Sequence, residues 1–369
     1  MPPVLEPPGS FHREASRRPL LALKGRASLR LYVLSLVVGL PGIAALLFYL
    51  VGIRAGLKLD SGPVPPWLIV ESVSVLAAVG LIGWAIAQAR QRRADGWRDY
   101  AGPSPLLTSG ALVAIITAIQ VALGHILKDL NVDVNSAPAT LVLILLYLVV
   151  YVSLVHFLAV RTGALTWHDI VRPAHLAPSS DDWTSSSPGS EPAAEPAPAI
   201  TSLRSRVTGG RLGDILIPLA MVIPLMIVSS VFEAAMLLVL GLHATDIATE
   251  IPPPTSDLDR LLSLVAIAVL VPIGEETFFR GFATNAWGRS LSRNSAILRA
   301  SLFFAFIHVM NTQAGNDGGL ALRAAIFNFG ARVPVAIALS WLYTRRRSIL
   351  ASGILHGGFN GLITLVSFL

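Results

Sequence analysis

Three short stretches set chemistry-bearing side chains at helical spacing inside apolar runs. The first, VLVPIGEETFFRGF (Val269–Phe282), carries Glu275, Glu276 and Arg280. Adjacent residues on an α-helix point about 100° apart, and residues four apart share a face. Arg280 can therefore neutralise Glu276, while Glu275 keeps no local partner. The second stretch, FFAFIH, ends in His308 and has Phe304 on the same face. The third, LHGGFNG, places His356 and Asn360 four residues apart. Between them Gly357 and Gly358 admit close approach of a neighbouring helix or a substrate backbone. A carboxylate can take a proton from water, helped by a histidine. A second histidine and an asparagine can donate hydrogen bonds to a developing oxyanion. That combination suggests hydrolysis. Glu275, His308 and His356 also form an alternative set, three ligands for a zinc ion with a fourth position open to water. Beside both stands the plainer reading: an ion pair that joins helices, a packing histidine, and small residues that let helices touch. The sequence contains neither H-E-x-x-H nor G-x-S-x-G, so zincin and nucleophile-elbow chemistry have no positive signal.

The elements that must position these residues are apolar. The chain of 369 residues is 53% hydrophobic and only 14% charged, with a mean hydropathy of +0.66. An ordinary soluble domain carries about 25% charged residues. Runs long enough to cross a bilayer, which takes about 20 apolar residues, occur near 31–52, 67–89, 106–127, 139–160, 213–241, 261–282, 296–311, 322–343 and 348–368. Helices are the expected form, because lipid offers the backbone no hydrogen-bond partners. The alternating ten-residue segments of a β-barrel are missing. The expected fold is thus all-α, a polytopic membrane bundle of about nine helices. The absence of cysteine excludes disulfides and thiolate metal sites.

Basic residues give the orientation. With the N-terminus cytoplasmic, the inner segments hold 21 Lys and Arg and the outer segments five, the bias that membrane insertion follows. The net charge of +6 therefore reflects topology, and no nucleic-acid partner is expected. Of the 28 basic residues only three are Lys, a composition that hints at a bacterial chain and hence a bacterial inner membrane. Residues 173–211 break the apolar pattern with Pro, Ser, Ala and acids and are expected to be a disordered cytoplasmic linker. The organisation expected is a cytoplasmic tail at 1–30, a four-span region at 31–172, the linker, and a five-span region at 212–369. Mid-span Arg332 needs a partner, for which Glu233 in the fifth span is the candidate.

Depth brings the motifs together. At 1.5 Å per residue the acid pair lies roughly 10 Å, and His356 roughly 12 Å, from the cytoplasmic ends of their spans. His308 and Asn360 come out somewhat deeper.

The order E-E-x-x-x-R, F-x-x-x-H, H-x-x-x-N resembles the CPBP family of intramembrane proteases. These are the CAAX prenyl endopeptidases and bacteriocin-processing enzymes, also called the Abi family. The motifs here are EETFFR (Glu275–Arg280), FAFIH (Phe304–His308) and HGGFN (His356–Asn360). The resemblance covers about 260–369 and leaves the first four spans unexplained. It implies a helical core open to the cytoplasm, with Glu275 activating water and His308 assisting. It also implies that His356 and Asn360 form an oxyanion hole, with Glu276 and Arg280 in support. It favours a glutamate-dependent reaction without cofactor, zinc being the alternative. The expected substrate is a membrane-associated protein or peptide. Two rival readings remain, a non-enzymatic immunity or scaffold protein and a proton-coupled transporter using the intramembrane acids.

Overall fold

The computed structural model describes residues 27–54, 64–134, 136–173, 211–247, 254–309 and 318–368. The expected tail and linker lie almost entirely outside the described residues. Every regular element among the described residues is helical. The helices are α1 (Leu29–Arg54), α2 (Pro66–Ala94), α3 (Pro105–Asp129), α4 (Ala137–Val160), the short α5 (Trp167–Val171) and α6 (Gly213–Leu240). They continue as α7 (Asp257–Gly288), α8 (Arg293–His308), α9 (Gly318–Arg346) and α10 (Ile349–Val366).

Local chemistry marks the boundaries. Proline stands in the first turn of α2, α3 and α4, where its missing N–H costs nothing. Side-chain hydroxyls of Ser136, Ser292 and Ser348 accept from the backbone at the starts of α4, α8 and α10, satisfying donors that the first turn leaves open. Helix α6 stops at Gly241, whose φ of +60° is the left-handed conformation that ends helices.

Eight of these helices are long and apolar enough to span a membrane, and they coincide with eight of the runs read from the sequence. The run near 296–311 forms α8, which has 16 residues and a length of about 24 Å, short of a hydrocarbon core about 30 Å thick. The protein is therefore an all-α polytopic bundle in which α8 is too short to span by itself. Large apolar side chains face outward, Leu238 and Val239 both at 84% exposure, as lipid contact requires.

The arginine-rich segments gather at one end. Ala27 N–H donates to Gln91 at 2.5 Å, and Arg93 donates to Thr162 O at 3.1 Å. Arg289 pairs with Asp169 at 3.0 Å. Asp214, buried at the start of α6, takes Arg172 at 2.8 Å and Arg346 at 2.9 Å. These contacts tie α5 across the ends of α7 and α9, where Tyr343 donates to Ile170 O at 3.0 Å and Asn285 to Asp169 O at 2.8 Å. At the opposite end Arg323 reaches the carbonyls of Leu240 and Gly241.

The main core joins the two halves of the chain. Leu112, Tyr151, Leu154 and Val155 from the first four spans share one buried cluster with Phe278, Phe279, Phe282, Phe304, Leu355 and Phe359. Helices α6 and α9 pack where Met236 fills the space beside Gly330, on the turns that carry Glu233 and Arg332. Each of those two residues has an interaction partner.

Candidate active site

Helix α7 is not regular. Its turns widen over Ala266–Leu270 and again over Glu276–Thr284, and Pro272 lies between. A proline ring collides with the carbonyl four residues back, and a wider turn avoids that collision. Wide turns of this kind concentrate at functional sites. Here they leave the acid pair at the start of the second widened stretch, buried inside the bundle.

Glu276 and Arg280 are both buried, at 1% and 0% exposure. Their closest atoms are Glu276 Oε1 and one guanidinium nitrogen, 3.0 Å apart. That nitrogen is not aligned for a hydrogen bond, so the contact is an ion pair. Arg280 also lies over the Phe304 ring, 4.4 Å from its centroid, and its other terminal nitrogen reaches Ala336 O at 3.5 Å. Glu276 Oε1 meets His356 Nδ1 at 2.9 Å. Arg280, Glu276 and His356 thus form a connected row, in which the carboxylate, as acceptor, fixes the ring with its proton on Nδ1. The other ring nitrogen, Nε2, stands 3.6 Å from Glu275 Oε2. Glu275 is itself buried, and this oxygen makes no hydrogen bond within the protein.

His308 sits at the end of α8, its Nδ1 2.8 Å from Phe304 O. Phe304 links the two histidines, with ring centroids 4.8 Å from His308 and 5.7 Å from His356. Asn360 lies one turn beyond His356 on α10 and donates to Ile267 O at 3.2 Å. Glu275, Glu276, Arg280 and His356 are therefore in direct contact, with His308 joined through Phe304 and Asn360 through the α7 backbone. Among the described residues no three of His, Asp and Glu are grouped closely enough to hold a metal ion. The alternative ligand set Glu275, His308 and His356 is not such a group.

Two features were not visible in the sequence. Spacing relates Phe304 to His308 alone, yet it contacts Arg280 and both histidines. Tyr151, from α4, packs against Phe278 and Phe279 at 5.8 and 6.3 Å. A Cβ on Gly274, one residue before Glu275, would come within 2.9 Å of the Tyr151 ring. The fourth span thus walls the acid-bearing segment, and the glycine lets it approach. The pair Tyr147 and Tyr151, four apart in YLVVY, was the available signal. His125 lies tilted against Trp67, ring centroids 4.3 Å apart, and both line a separate cavity of about 1010 Å³ beside α2 and α3.

Gly357 packs closely against the acid-bearing helix. A Cβ there would lie 2.5 Å from Ala268 O, a backbone atom that cannot swing aside. Gly357→Ala is expected to force α10 away from α7 and to destabilise the protein by about 1–3 kcal/mol, the usual cost of overpacking. Thermal unfolding in detergent measures it, and an unchanged midpoint would show that the helices have slack.

The helices thus bring a buried carboxylate pair and His356 together, with His308 and Asn360 close by. Residues 257–362 match the family model of Rce1-like type II CAAX prenyl endopeptidases. This C-terminal segment, consistent with the CPBP resemblance of its motifs, supports an intramembrane protease in general. No curated protein and no solved structure matches the chain.

Proposed function

We propose that the chain is an endopeptidase that hydrolyses a peptide bond of a membrane-associated protein or peptide. The observation carrying this reading is the Glu275 carboxylate, which is buried, has one oxygen free of protein hydrogen bonds, and faces His356 Nε2 at 3.6 Å. A water within reach of that oxygen gives its proton to Glu275, and the hydroxide attacks the peptide carbonyl. The proton then passes to the leaving amine as the C–N bond breaks. His356 donates Nδ1–H to Glu276, which turns its Nε2 toward the reacting oxygen, to which it donates when that nitrogen carries a proton. Asn360, whose amide carries a second N–H, is the other donor. His308 assists in orienting the water, and Arg280 holds Glu276 in place. No cofactor is needed for these steps. The arginine-rich end is taken as cytoplasmic, the N-terminus with it, in a bacterial inner membrane. The segment around 260–369 is the proteolytic core.

The test compares membranes from cells expressing wild type or Glu275→Ala at matched levels, with new peptide termini mapped by mass spectrometry. Termini found only with wild type are expected, and they name the substrate. Identical termini, with both proteins folded and a candidate membrane-protein library co-expressed, would move the assignment to a non-enzymatic scaffold.

A further inference from the structure

The break in α7 leaves a specific carbonyl without its helical donor. In the wide turn ending there, Val271 N–H bonds to Ala266 O, five residues back. The next pair in that register is residue 272 with Ile267 O. Residue 272 is proline and has no N–H. A carbonyl left bare in an apolar interior is costly, and Ile267 O is not bare, because Asn360 Nδ2 donates to it from α10 at 3.2 Å. Ala268 O, the carbonyl four residues before Pro272, points at Gly357, where only a glycine leaves room.

We infer that Asn360 supplies the hydrogen bond that Pro272 withholds, and that this bond fixes the spacing between α10 and the acid-bearing segment of α7. The H-G-G-F-N stretch then has a structural logic. His356 meets the acids, Gly357 clears the Ala268 carbonyl, and Asn360 closes the gap at Ile267. Glu275 lies only three residues beyond Pro272, so the bond sets where the carboxylate stands relative to His356. This positioning role is additional to any contact Asn360 makes with substrate.

The inference predicts rescue at a distance in sequence. Asn360→Leu removes the donor and should lower the unfolding midpoint in detergent by roughly 3–10 °C, as expected for one buried unpaired carbonyl. Pro272→Ala restores a backbone N–H, so in that background Asn360→Leu should cost little. A packing defect at position 360 would not be relieved by a change at 272. If Asn360→Leu alone yields no folded protein, recovery of folded protein in the double variant is the same rescue. The spacing is read independently by a disulfide. A Cβ on Gly361 would lie 3.2 Å from the Ala268 Cβ, close to the usual disulfide separation of about 3.5–4.5 Å. The chain has no cysteine of its own. Ala268→Cys with Gly361→Cys should cross-link readily in the wild-type background and several-fold more slowly with Asn360→Leu. An equal loss of stability in both backgrounds, or unchanged cross-linking, would overturn the inference. Neither readout uses hydrolysis, so a protein that cleaves nothing leaves this result standing.

Discussion

Glu275→Gln is expected to slow peptide hydrolysis by about 10²–10⁴-fold, the contribution of a positioned general base, while the protein unfolds at nearly the wild-type temperature. The two halves of that expectation come from one fact. Glu275 Oε2 makes no hydrogen bond within the protein, so an amide of the same shape gives up little structural energy there. The amide cannot accept the proton of water. The measurement is single-turnover cleavage of the peptide found by terminus mapping, with a melting curve on the same preparation. Retention of more than a tenth of the rate would remove Glu275 from the role of base. A parallel loss of rate and fold would reassign it to the structural cluster.

The largest effect on stability is expected at Arg280. Arg280→Met leaves Glu276 charged and enclosed, without its cation and beside a Phe304 ring that has lost its guanidinium. Breaking a buried pair from one side costs about 3–5 kcal/mol, whereas replacing both charges is often close to neutral. The double variant Arg280→Met with Glu276→Gln should therefore recover most of what the single one loses. The amide oxygen that Glu276→Gln introduces still accepts from His356 Nδ1–H. Unfolding midpoints of wild type, the two single variants and the double variant test this. Equal instability of Arg280→Met and the double variant would mean that Arg280 acts through its contacts with Phe304 and Ala336 instead of its charge.

Composition made the membrane class legible, because runs of about 20 apolar residues have few other uses. Among the described residues a helix formed wherever such a run stood, although α8 is cut short by Arg293 at its start and ends at His308. The pair Glu276–Arg280 was also legible, since four-residue spacing brings side chains together. Depth put His356 level with the acids, but its contact with Glu276 was not legible, because that partner lies 80 residues away and periodicity does not say which helices touch. For the same reason Tyr151 went unseen. The widened turns of α7 were hidden too, since a 3.6-residue period is assumed when counting faces, though Pro272 was a visible warning. The part Asn360 plays at Ile267 depends on that irregular backbone and could not be read before it.

The ion pair between Arg172 and Asp214, at 2.8 Å, fixes both borders of the Pro- and Ser-rich stretch at one spot on the bundle. Whatever leaves at Arg172 returns at its doorstep. With the borders held together, extra length between them is inexpensive, because each doubling of a flexible loop costs only about 0.6 kcal/mol. An insertion there lengthens a connection whose two borders are already held, so the ends of the helices around it keep their places. A protease that severed it would leave two fragments still clasped through α5 and the shared core.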